Sequence, residues 1–213
     1  MNNSFNSKFK RSNKKRKLKK VYKIFCEWES EENYFKSLWK KLWKNVNCTK
    51  LQHKDIKWII DEIRTAKDRS WLEKSDRVFC VIDKDYHSIQ EFQSNSTSLE
   101  KQSELILSSK SFEVWVLMHF SKFETEVQDI LEYKWLINSN NNKQLFQRLW
   151  FNWEVRKPYT NEKFFEILYN HTEDAINNAK SVSEKQLKEN AWNKYKCEPY
   201  TDIWKLVEEL KKP

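Results

Sequence analysis

The chain has 213 residues, a formal net charge of +9, no glycine and 11 tryptophans. At the ordinary usage of about 7%, a chain this long would carry roughly 15 glycines. Their absence excludes a Walker A loop and a GxGxxG dinucleotide fingerprint, because both need glycine. A mean hydropathy of −0.93 and the lack of any apolar run near the ~18 residues of a spanning helix argue against insertion in a membrane.

The first twenty residues form a basic tail. They hold nine Lys and Arg, among them Lys14, Lys15, Arg16 and Lys17, and no acid, so the rest of the chain is formally neutral. Such a tail attracts polyanions by neutralising phosphates and releasing counterions. As a solvated extension it would serve solubility alone. No apolar stretch follows it, so it does not read as a signal peptide. Cys26, Cys48, Cys80 and Cys197 are widely spaced with no CxxC, which points to buried thiols in a reduced, cytoplasmic protein rather than a zinc site.

From Val21 to Cys26 the sequence reads as a short buried strand. Apolar residues at helical spacing predict a helix over Glu31–Trp43, and Val46–Leu51 suits a second strand. The face Ile56, Ile59, Ile60 and Ile63 predicts a helix over Asp55–Trp71. The clearest strand, Arg77–Ile82, runs into Asp83-Lys84-Asp85. The polar run Ser94–Ser98 is expected to interrupt a following helix. Next come a short strand at Leu105–Leu107 and a buried helix at Phe112–Phe120. Asn138–Asn142 reads as a loop, Phe164–Tyr169 and Ala175–Val182 as helices. After Pro199, Thr201 is expected to cap a last helix through Leu210. Alternating strands and helices in the first half predict an α/β fold with a parallel sheet and crossover helices, followed by a mainly helical part. The expected organisation is a tail over 1–20 and one domain over 21–213, with its core at about 21–120.

Two acidic clusters follow two of the strands: Glu27-Trp28-Glu29-Ser30-Glu31, and Asp83-Lys84-Asp85. In a parallel sheet the strand ends share one edge, where ligands bind. Glu27, Asp83 and Asp85 could therefore converge there. Gathered carboxylates repel unless a cation neutralises them, and hard oxygen donors suit Mg²⁺ or Mn²⁺. Glu29, Glu31 and Glu32 equally suit the positive end of a helix dipole.

The order of these motifs resembles the RloB-like family, bacterial proteins with a TOPRIM-type core. The residues that carry the resemblance are Cys26-Glu27-Trp28-Glu29-Ser30-Glu31-Glu32-Asn33-Tyr34-Phe35, then Asp83-Lys84-Asp85-Tyr86-His87, then Phe112-Glu113-Val114-Trp115 with His119-Phe120. The resemblance implies a TOPRIM-like, Rossmann-like sheet flanked by helices. It implies Glu27 as general acid/base or metal ligand, Asp83 and Asp85 as metal ligands, and Glu31 and Glu113 as further catalytic carboxylates. His87 and His119 would stand behind that site, although His119 also reads as a hydrogen-bonded core histidine. The activity implied is a Mg²⁺- or Mn²⁺-dependent nuclease for DNA or RNA in phage defence by abortive infection. It implies an ATPase partner, and self-association is compatible with it. The alternative is a non-catalytic, nucleic-acid-binding or regulatory subunit on the same fold.

Trp28 departs from the family pattern, which has glycine there. A tryptophan at a positive φ beside Glu27 would be a backbone outlier and would crowd the carboxylate edge. UGA codons read as glycine in some bacteria, and as tryptophan in other codes, would explain both the missing glycines and the excess of tryptophan; a true absence of glycine would equally follow from an extremely AT-rich genome, since GGN codons are GC-rich. Trp71 and Trp150 also fall at expected helix ends, whereas Trp115 falls on a tryptophan of the family pattern.

Overall fold

A computed structural model of the chain describes residues 20–69, 76–84, 87–124 and 162–212. The tail residues Lys14, Lys15, Arg16 and Lys17, Asp85, Trp71, Trp150 and the expected loop at Asn138–Asn142 lie outside them. The strands are β1 (Val21–Cys26), β2 (Asn45–Lys50), β3 (Arg77–Asp83), β4 (Glu104–Ser109) and β5 (Tyr200–Thr201). The helices are α1 (Glu29–Leu42), α2 (Ile56–Asp68), α3 (Ile89–Gln102), α4 (Glu113–Met118), α5 (Glu162–Asn170), α6 (Thr172–Glu189) and α7 (Ile203–Lys211), with a 3₁₀ turn at Lys194–Lys196.

These strands form one sheet in the order β2-β1-β3-β4-β5. The first four are parallel, and β5 adds antiparallel to β4 through Ser108 opposite Thr201. This is the expected α/β, Rossmann-like arrangement. Apart from Lys23, the interiors of β1 and β3 are apolar, because both faces of the sheet are covered. Alternate residues of each strand enter different cores. Ile24, Cys26, Phe79 and Val81 pack with Tyr34, Phe35, Trp115, Leu206 and others from α1, α4, α5, α6 and α7. Phe25, Cys80 and Ile82 pack with Ile59 and Ile63 of α2 and Phe92 and Leu99 of α3.

Local signals set the helix starts. Asp55 caps α2 by accepting from the amides of Lys57 and Trp58. Ser88 caps α3 by accepting from the Glu91 amide at 3.1 Å. The expected break at Ser94–Ser98 does not occur, and α3 is continuous. Ser94 and Asn95 donate to the Glu91 carbonyl at 3.0 and 2.9 Å, and Ser96 donates to that of Gln93 at 3.3 Å. Their polar groups thus bond back onto the preceding turn instead of leaving the helix, while Phe92 and Leu99 anchor it in the core. Thr201 acts partly as expected: its Oγ1 accepts from the Ile203 amide at 3.2 Å, but it also closes β5 against Ser108.

A cluster of charges fastens the last helix beneath the sheet. Glu209 of α7 accepts from Lys20 at 2.7 Å, just before β1, and from Arg77 at 3.4 Å, at the start of β3. Lys212 bonds its second oxygen at 2.7 Å. The hydrogen bonds from Lys20 and Lys212 hold the Glu209 carboxyl down at about 2.

Trp115 is the largest fully buried side chain, with its ring edge-on to Tyr34 and His119. Truncation there leaves a cavity among rigid neighbours. Trp115→Ala is expected to cost about 3–5 kcal/mol, read as a lower denaturant midpoint at an unchanged slope.

Candidate active site at the carboxyl edge of the sheet

The chain leaves β1 toward β2 on one side and reaches β3 on the other, so the direction of winding reverses between β1 and β3. Crevices in open α/β sheets form at this switch point, beyond the carboxyl ends of the strands. Glu27 follows β1 directly, and Asp83 is the last residue of β3. Both are buried, at 4% and 3% exposure. Glu27 Oε2 accepts the Asp83 amide at 3.2 Å, which ties the two strand ends together.

Glu31 is fully buried in the first turn of α1. Its Oε2 accepts the Trp28 amide at 3.0 Å, the return half of a capping box, in which the third helical residue satisfies the backbone before the helix. Its Oε1 is buried with no hydrogen-bond partner among the described residues. Burial, together with the charges of Glu27 and Glu113, pushes the Glu31 carboxyl well above the usual carboxylate range. Glu113, the first residue of α4, therefore belongs to the same electrostatic neighbourhood. Glu27 and Glu113 thus both act on the Glu31 carboxyl, at the edge where Asp83 ends β3.

Trp28 precedes α1 at φ −120 and ψ 153. The expectation of a positive φ there is wrong, because the chain enters α1 from an extended residue that any side chain permits. Its indole lies under the Lys54 ammonium, 3.4 Å from the ring centroid.

The two histidines make their side-chain contacts with other residues. His87 is buried at the start of α3, edge-on to Phe92, with Nδ1 3.4 Å from Glu91 Oε1. His119 is a core histidine whose ring meets Trp115 and Tyr34. Two lysines missed as a pair join the edge instead. Lys84 and Lys110 follow β3 and β4, and their ammonium groups lie 3.8 and 3.3 Å from the carboxylate of Glu198. Glu198 comes from the distant segment before β5, and no local pattern could have announced it.

Hard carboxylate oxygens are the donor type that Mg²⁺ and Mn²⁺ take. The buried, partnerless oxygen of Glu31 and its raised carboxyl mark a place where negative charge lacks compensation. Among the described residues, no group of three or more His, Cys, Asp or Glu side chains stands ready to hold a metal ion. All four cysteines are free, and those at 26, 80 and 197 are buried. No helix among the described residues is long and apolar enough to cross a membrane.

The model of one protein family, described as RloB-like protein, matches residues 22–210. No curated protein and no solved structure matches the chain.

His119 sets a pH dependence of stability. Nδ1 donates to the Trp115 carbonyl at 2.9 Å, and Nε2 is buried with no partner among the described residues. Burial pushes its pKa from 6.5 down to about 4. Between these values the unfolded chain binds the proton and the folded chain does not. The contribution is complete above about pH 6.5 and is lost as the pH falls toward 4, a change of about 3 kcal/mol. Denaturant midpoints near neutral and acidic pH are expected to differ by less in His119→Gln than in the parent.

Proposed function

The chain belongs to the RloB-like protein family, and from that membership and the carboxylate edge we propose that it is a metal-dependent nuclease that hydrolyses phosphodiester bonds. The observation that carries this reading is the Glu27 carboxylate bonded to the Asp83 amide across the switch point, with Glu27 and Glu113 both acting on the neighbouring Glu31 carboxyl. Glu27 and Asp83 would hold Mg²⁺ or Mn²⁺, with Asp85 as a further ligand. When bound there, the ion stabilises charge on the phosphoryl oxygens and lowers the pKa of a water.

The protein's own contribution is to hold these groups in place. The Asp83 amide fixes the Glu27 carboxylate, so that it can take a proton from an attacking water or orient it. Glu31 retains its proton more readily than an ordinary carboxyl and can supply one to the departing oxygen, with the capping bond to Trp28 fixing its orientation. Glu113 reinforces that tendency. Lys84 and Lys110 present positive charge at the same edge, where a phosphate backbone would lie, and the tail Lys14, Lys15, Arg16 and Lys17 would extend that attraction. The family resemblance further suggests action in phage defence by abortive infection, with an ATPase partner.

A second reading is a nucleic-acid-binding subunit without catalysis. It is favoured by the described residues holding no three-ligand group and by an indole standing next to Glu27.

The purified chain, alone and with its neighbouring ATPase, is expected to cleave DNA or RNA with Mg²⁺ or Mn²⁺ and not with EDTA. Glu27→Gln and Asp83→Asn are each expected to lower the rate on the order of 10²-fold or more, with an unchanged circular dichroism spectrum. Cleavage by Asp83→Asn at the parental rate would refute the assignment. Binding without cleavage under all these conditions would favour the second reading.

A further inference from the structure

Two tryptophans occupy a backbone conformation that disfavours every residue with a Cβ. Trp43 ends α1 at φ 54 and ψ 33 and is 88% exposed. Trp192 lies just beyond α6 at φ 61 and is 66% exposed. In this left-handed region the Cβ crowds the following carbonyl oxygen, which glycine alone escapes. Helices commonly end on glycine for that reason. Beyond α6 the Trp192 amide donates to the Leu187 carbonyl at 2.6 Å, the long closing bond of a helix end whose usual glycine position is the preceding residue, Ala191, also at positive φ (52), so two consecutive left-handed residues follow this helix.

Among the described residues, the high exposure of both indoles leaves little packing to offset the strain. A ring this exposed keeps most of its apolar surface in water and gains little from packing. Among the described residues only Trp43, Ala191 and Trp192 have positive φ, and only Trp43, Trp58 and Trp192 are large exposed hydrophobics. The two sets coincide at 43 and 192. Trp115 behaves in the opposite way, fully buried in the core with two ring partners. One residue letter thus covers two structural populations, in a chain that has no glycine at all.

We propose that positions 43 and 192 carry glycine in the protein made by the cell of origin, encoded by UGA codons which that cell decodes as glycine. Trp115 is encoded by UGG and is a true tryptophan. Glycine at 43 and 192 relieves the strain at those two residues, while Ala191 keeps its own positive φ, and two large exposed indoles vanish from the surface. Position 28 is a separate question, because its extended φ suits any residue. Decoded as glycine, it would lose the ring that the Lys54 ammonium covers, next to Glu27.

The proposal does not depend on nuclease activity, and its tests are independent of any cleavage assay. The codons of the gene are expected to be UGA at 43 and 192 and UGG at 115. Mass spectrometry of the peptides from the source cell is expected to show glycine at 43 and 192. UGG at both positions, or tryptophan in those peptides, overturns it. Expressed recombinantly, Trp43→Gly and Trp192→Gly are each expected to raise the thermal midpoint by a few degrees, whereas Trp115→Gly lowers it. An unchanged or lowered midpoint in both glycine variants overturns the backbone argument.

Discussion

One hydrogen bond joins what the rest of the site depends on. The Asp83 amide gives its proton to Glu27 Oε2 across 56 positions of sequence. It is made at the one place where two neighbouring parallel strands send their crossovers to opposite sides. The bond depends on their register: Cys26 pairs with Val81, so β3 runs two residues further and its last residue, Asp83, offers its amide to the Glu27 side chain just beyond the end of β1. A slip of one strand would lose the bond and also turn the strand's apolar residues toward the wrong core.

The sheet can hold that register because it is buried on both sides. Its two faces are served by different helices, and each strand feeds both cores in alternation. Carboxylates placed at the rim of so apolar a structure are poorly hydrated, which raises Glu31 well out of the ordinary range. A buried negative cluster has two routes to stability, protonation or a bound cation. Helix α1 contributes to this directly, since the residue that caps it is also the most deeply buried of the group.

The sequence made the strands and the acidic edge legible through strong local signals. VYKIFC and RVFCVI are mainly apolar runs, carrying only Lys23 and Arg77 as charged residues, as expected of strands covered on both faces, and both end within a residue of their observed limits. Polar composition misled at Ser94–Ser98, because serine and asparagine side chains can bond back to their own helix as readily as break it. Long-range relations left no local trace. Glu198 reaching Lys84 and Lys110, and Glu209 reaching Lys20 and Arg77, depend on β5 and α7 returning to the sheet. The backbone at Trp28 was equally hidden, since a family pattern marks a residue type and leaves its φ unstated.

The clasp around Glu209 fixes where the described chain enters and leaves. Lys20 and Lys212 meet on one carboxylate, so both ends of the domain issue from the amino edge of the sheet. The carboxylates lie at the other pole, the length of β1 away, about 20 Å at strand rise. A fluorescent tag or carrier attached after the last helix would start behind the site and leave its mouth uncovered. The basic tail also starts from that far pole.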